Sequence, residues 1–215
     1  MISTELNELQ KEFLARFFAR ESSFYLTGGA ALVGYYLHHR QTQDLDLFTL
    51  KSDIEHGAAI VNEVAREMTA MVEPLQTSPD FRRILLRRND ASIVIDLIRE
   101  YVFQIDNEKR LIGGVRVDAP EEILANKLCA LLSRSEIRDL VDLRAIELSG
   151  FSLEDVFANA QKKDSGLTAA QLSWVLSQIQ IGEESELPAN VSPGSLREYL
   201  EDLKERLVKL ALPEK

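Results

Sequence analysis

The chain has 215 residues, 45% hydrophobic and 28% charged, with 10 Gly and 6 Pro, an ordinary globular composition with enough length for a sizeable core in one or two domains. A net charge of −10 excludes the surface as a whole from matching nucleic acid and leaves such binding to a local basic patch. The single cysteine, Cys129, excludes an internal disulfide and a cysteine-built zinc cluster; with no signal peptide and no apolar run of transmembrane length, the sequence predicts a cytoplasmic protein without a membrane partner.

Leu6, Leu9, Phe13, Leu14, Phe17 and Phe18 recur at helical spacing and predict an amphipathic helix over residues 5–20. "SFYLT" predicts a short strand that stops at Gly28-Gly29. Residues 30–38 read as a helix and "LDLFTL" as the strand after it. Ile54, Ala58, Val61, Ala65 and Met68 mark the next helix. "FRRILLRR" and "ASIVIDLIRE" flank the turn-forming pair Asn89-Asp90 as a hairpin, and a weaker strand pair is expected at "RLIGGVRV". Past residue 118 the character changes. "DAPEEILANKLCALL" opens with an Asp cap and a Pro in the first turn, and helical patterns follow at residues 137–148, 152–162, 168–179 and 193–210. "GEESELPANVSPG" is the expected linker. The fold class is therefore α+β, with a mixed-sheet domain over residues 1–118 and a helical domain over residues 119–215.

The segment that points to chemistry is "LDLF". Strand side chains alternate, so Asp44 and Asp46 share one face while Leu45 and Leu47 take the other. Two carboxylates this close repel unless a cation joins them. Oxygen ligands favour Mg²⁺ or Mn²⁺ over zinc or copper. Asp96 interrupts the apolar run of Ile93, Val94, Ile95, Leu97 and Ile98, where an unpaired charge is costly. If its strand neighbours "LDLF", three carboxylates meet in the geometry of a two-metal phosphoryl-transfer site. Strand, Gly28-Gly29, then helix start places bare backbone N–H groups where a phosphate can approach. Taken singly, Asp-x-Asp is common on surfaces, Gly-Gly is usually a turn, and Asp96 alone is equally served by a nearby arginine. Their order along the predicted elements is what carries the reading.

"GGAAL", "RQTQDLDLF", "VID" and "PEEILANKLCALLSRSEIRDLVDL" together resemble the AbiEii/AbiGii-type nucleotidyltransferase toxin family, within the DNA polymerase β-like nucleotidyltransferase superfamily. The resemblance covers residues 26–143. It implies a polymerase β-like core followed by a helical domain that contributes to the active-site cleft, with Mg²⁺ (or Mn²⁺) and a nucleoside triphosphate as co-substrate. Carried over by position, Gly28 and Gly29 would hold the triphosphate, with Arg40 and Thr42 beside them. Asp44 and Asp46 would bind the metals, Asp96 would complete the metal site facing the attacking hydroxyl, and Lys127, Arg138 and Asp139 would lie near the active site, Lys127 and Arg138 reaching phosphates and Asp139 orienting a partner or acting as a base. The implied activity is transfer of a nucleoside monophosphate to a hydroxyl on tRNA or a protein, as the toxin of a toxin–antitoxin or abortive-infection system with a cognate antitoxin. Transfer to a small molecule such as an antibiotic, or a non-catalytic binding module, are the alternatives.

Other polar residues have plainer readings. Lys127, Arg134, Arg138 and Asp142 form one stripe if their helix is continuous, and a break at Ser133 or Ser135 would dissolve it. Arg82, Arg83, Arg87 and Arg88 give a basic strand: a charge-protected edge on the plain reading, a landing strip for RNA phosphates on the sharper one. His38 and His39 close a helix, Cys129 fills core, and Trp174 packs the helical domain.

Overall fold

A computed structural model of the chain describes residues 6–51 and 53–212; the predicted first residue of the N-terminal helix and the outer ends of both predicted domains lie outside the described residues. The first helix, α1 (Glu8–Phe18), starts at a reciprocal cap: Gln10 N donates to Asn7 Oδ1 at 2.9 Å and Asn7 N donates to Gln10 Oε1 at 2.8 Å. Its buried face, Leu9, Phe13, Leu14, Phe17 and Phe18, meets β1 (Phe24–Thr27) where Phe17 packs edge-on to Phe24 with centroids 5.8 Å apart.

After β1 comes a short helix, α2 (Gly28–Ala31), continued by a π-helical turn (Leu32–Tyr36). The predicted helix over residues 30–38 thus begins and ends two residues earlier than expected and widens in its second half, and His38, at φ +49°, lies beyond it. Then follow β2 (Asp44–Thr49), α3 (Ile54–Glu67), β3 (Met71–Ser78), β4 (Phe81–Arg88), β5 (Ala91–Arg99), β6 (Arg110–Ile112) and β7 (Val115–Val117). Among the described residues the strands form one seven-stranded sheet in the order β3-β4-β5-β2-β1-β7-β6. The β1–β7 and β2–β5 pairs are parallel and the others antiparallel, so the sheet is mixed as expected.

Register decides which side chains share a face. Leu45 and Leu47 lie beside Ile95 and Leu97 and are fully buried, each worth about 1.5–3 kcal/mol of burial. Helix α3 covers this face: a side chain at Gly57 would meet the Phe24 ring at 2.6 Å and Leu97 at 3.4 Å. The aspartates of β2 necessarily occupy the opposite face.

Strand β3 has no counterpart in the sequence reading, and its presence corrects the expectation for the arginines. It pairs with β4, which is therefore an interior strand and not an edge. The four arginines divide by face: Arg82 and Arg88 pair with Glu55 of α3 and Glu12 of α1 on the helix side, while Arg83 and Arg87 lie on the other.

The chain divides into two compact units, Met1–Tyr101 with Asp106–Ala119 and Val102–Ile105 with Pro120–Lys215. The second contains α4 (Pro120–Arg134), α5 (Ile137–Leu148), α6 (Leu153–Lys163), α7 (Ala169–Leu176) and α8 (Pro193–Ala211). Its core comes from Leu124, Leu128, Leu143, Ile146, Leu172 and Leu200 among others. Ser135, at φ +51°, separates α4 from α5, so the four polar residues do not form a single-helix stripe. Among the described residues no helix is long and apolar enough to cross a membrane.

Candidate active site

Strand β2 carries the central carboxylates because its apolar residues occupy the alternate positions. Asp44 and Asp46 are half-buried, flanked by buried Leu45 and Leu47. Parallel pairing sets Asp46 directly beside Asp96 of β5, with Asp44 beside Val94. On the other side Thr27 of β1 lies opposite Asp46. The three aspartates therefore share one face of the sheet, on two adjacent strands.

The glycines fit around this row. Gly28 has φ +63°, a conformation that strains a residue with a side chain, and a Cβ there would come within 2.3 Å of Asp46 Oδ2. At Gly29 a Cβ would come within 2.3 Å of the Arg40 guanidinium. Gly28 thus makes room for the acid, and Gly29 makes room for the base. Thr42 stands two residues before Asp44, its hydroxyl 3.5 Å from the Asp44 carbonyl and its own carbonyl accepting from Gln10 Nε2 at 3.0 Å.

Asp96 is only 4% exposed and both its oxygens are engaged: Arg83 Nε donates to Oδ1 at 2.9 Å and Nη2 to Oδ2 at 2.7 Å. The bonds to Asp96, reinforced by the fields of Asp44 and Asp46, hold the Arg83 guanidinium even more firmly protonated than usual. Among the described residues no group of three or more acidic, His or Cys side chains is assembled to hold a metal ion. The two-carboxylate set of Asp44 and Asp46 nevertheless fits Mg²⁺ or Mn²⁺, because Mg²⁺ is commonly bound through one or two carboxylates, with water and substrate phosphates completing its shell.

The helical unit holds the remaining predicted residues. Lys127 of α4 is 7% exposed, and its ammonium contacts Asp139 Oδ1 at 2.6 Å and Asp142 Oδ2 at 2.7 Å, both from α5 and both fully buried. Burial alone would lower the ammonium's pKa, but the carboxylates of Asp142 and Asp139 overcome it and hold the group above its ordinary value. Asp139 also accepts two bonds from Arg134, at 2.7 and 2.9 Å. Burial pushes its carboxyl up, yet Arg134 and Lys127 together bring it below the usual range. Arg138 is exposed and donates to Glu136.

The structure thus brings together Gly28, Gly29, Arg40, Asp44, Asp46 and Asp96 in the first unit, and Lys127 with Asp139 in the second. Sequence reasoning did not assign Arg83 to the first cluster, and it grouped Arg134 and Asp142 with Lys127 only as a single-helix stripe. The signal for Arg83 was the basic residue at the same strand parity as Asp96 across the Asn89-Asp90 turn. For Asp142 it was the spacing of three residues from Asp139, which keeps both on one side of α5.

The model of the family described as "Nucleotidyl transferase AbiEii toxin, Type IV TA system" matches residues 12–211, and the chain belongs to that family. Among solved structures it is similar in fold to JHP933 from Helicobacter pylori, at 20% identity and a TM-score of 0.61, over 95% of this chain and 90% of that one. It is also similar to a candidate nucleotidyltransferase from H. pylori, at 17% identity and a TM-score of 0.55, over 97% of this chain and 100% of that one. No curated protein matches the sequence.

Proposed function

We propose that the protein is a metal-dependent nucleotidyltransferase that moves a nucleoside monophosphate from a triphosphate to a hydroxyl and releases pyrophosphate. The observation that carries this reading is the sheet row in which Asp46 lies beside Asp96 and is roofed by a Gly28 that has no room for a side chain. A structural carboxylate seldom demands a bare, left-handed glycine over it; a phosphate site does.

In this reading Asp44 and Asp46 would hold Mg²⁺, which would supply charge neutralisation for the triphosphate and polarise its α-phosphorus. Gly28 and Gly29 admit the phosphates to the backbone. Arg40, lodged against Gly29, supplies positive charge, and Thr42 lines the approach to Asp44. Asp96 would complete the metal site facing the incoming hydroxyl and favour its deprotonated form; the acceptor oxygen bonds to the α-phosphorus as the bond to pyrophosphate breaks, and the proton leaves to solvent. Such catalysis consists mostly of positioning and charge stabilisation. Lys127 and Asp139 act as one ion-paired unit that fixes α5 against α4, and Arg138 is exposed on α5 with its guanidinium bonded to Glu136.

The family supports a role as a toxin paired with a cognate antitoxin; tRNA or a protein is the acceptor we propose. Calorimetry with Mg²⁺ and each nucleoside triphosphate tests the reading. Saturable binding that disappears in Asp46→Ala is expected, whereas the absence of binding to any triphosphate would favour a non-catalytic module.

A further inference from the structure

One row of the sheet runs Thr27, Asp46, Asp96, Arg83 across four adjacent strands. The pair at its end is unusually committed. Arg83 meets Asp96 fork to fork, so each carboxylate oxygen gives up a lone-pair site and a fixed positive charge stands beside the carboxylates. The two partners differ in freedom. The Asp96 side chain is 6% exposed and is set by its strand, whereas that of Arg83 is 44% exposed. In that same position the Arg83 guanidinium carbon lies 5.8 Å from the centre of the Phe81 ring, two residues back on the same face. Arg87, on the same face, contrasts with it: it lies opposite Ser92 and approaches Glu73 only to 3.9 Å.

We propose that Arg83 is a positioning residue that stands in for a cation on Asp96, keeping the third carboxylate out of metal coordination until a triphosphate draws the guanidinium away. The inference rests on the reading of Asp44, Asp46 and Asp96 as metal ligands. A guanidinium and a divalent ion on one carboxylate repel each other, so the metal gains its third ligand only when Arg83 yields. A polyanionic triphosphate offers Arg83 a better-matched partner, because the planar guanidinium suits phosphate as well as carboxylate. Metal and nucleotide then bind cooperatively: each removes an obstacle to the other. This accounts for a buried carboxylate in an apolar strand that is fully satisfied while no three-acid cluster is assembled among the described residues.

The test is a calorimetric titration of the full chain with Mn²⁺, alone and in the presence of ATP, with thermal melts as a folding control. The wild type is expected to bind Mn²⁺ weakly alone and more tightly with ATP. Arg83→Gln removes the competing charge and is expected to bind Mn²⁺ alone on the order of tenfold more tightly, with a smaller gain from ATP. Arg83→Lys keeps the charge but loses the fork. It is expected to fall between the two, and it serves as the test if Arg83→Gln does not fold. Folded variants that bind Mn²⁺ no more tightly than the wild type overturn the counter-ion role. In that case, loss of Mn²⁺ binding in Asp46→Ala leaves the metal reading standing. If wild type and Arg83 variants all fail to bind Mn²⁺ with or without ATP, or if Asp46→Ala binds like the wild type, the metal reading fails and this inference fails with it.

Discussion

Two charge clusters in this protein use the same residue types to opposite ends. In the helical unit Lys127 is enclosed by Asp139 and Asp142, all nearly or fully buried, and only Arg134 reaches solvent. In the sheet unit Asp44 and Asp46 are half-buried, Arg83 is partly exposed, and a left-handed glycine bends over Asp46. The first cluster is closed on itself and holds two helices together. The second keeps two of its three carboxylates only half-buried. Burial, more than the presence of acid and base, separates a strut from a site addressed to a ligand.

That contrast can be broken most sharply at Asp46. Asp46→Ala is expected to cut nucleotide transfer by at least on the order of 10²–10³-fold while the melting curve stays close to that of the wild type, because a half-exposed, mutually repelled carboxylate contributes little to folding. Lys127→Ala is expected to behave in the reverse manner. It leaves two buried carboxylates without their shared cation, so denaturant unfolding should show a loss of about 3–5 kcal/mol. Gly28→Ala sits between them: the left-handed backbone costs about 1–2 kcal/mol, and the new Cβ displaces Asp46, so stability and transfer should fall together.

The smallest effect is one of pH. The folded Asp139 carboxyl lies below its ordinary value of 3.8, so its contribution to stability is complete above that pH and is lost as pH falls through the folded value. Arg134 is the leading group that lowers it. Arg134→Gln should therefore move the acid-unfolding midpoint to higher pH, with little change near neutrality. An unmoved midpoint would show that Lys127 alone holds Asp139 ionised.

Much of the sheet side of this comparison was legible in the sequence. A period of two placed Asp44 and Asp46 together, and an acid in an unbroken apolar run singled out Asp96. Their alignment was not legible, because the pairing of β2 with β5 is set by strands distant in sequence. Strand β3 escaped because it contains Glu73, Pro74, Gln76, Thr77 and Ser78 and has little apolar surface to bury. It is an edge, and its proline and register shift are devices that protect an edge. For the helical cluster the sequence left two readings open, a continuous stripe or a break at Ser133 or Ser135, and the structure takes the break. Helical spacing extends a stripe through Ser135, whereas the positive φ of that residue turns the chain and delivers Asp139 and Asp142 to Lys127 from a second helix.

Incubation of the purified protein with Mg²⁺ and a triphosphate labelled at either the α- or the γ-phosphate, in the presence of total RNA and protein, tests the central claim most directly. The account predicts that the α-label becomes attached to a macromolecule with wild type and not with Asp46→Ala, while the γ-label leaves as pyrophosphate. Transfer of the γ-label, or undiminished α-label transfer by Asp46→Ala, would contradict it.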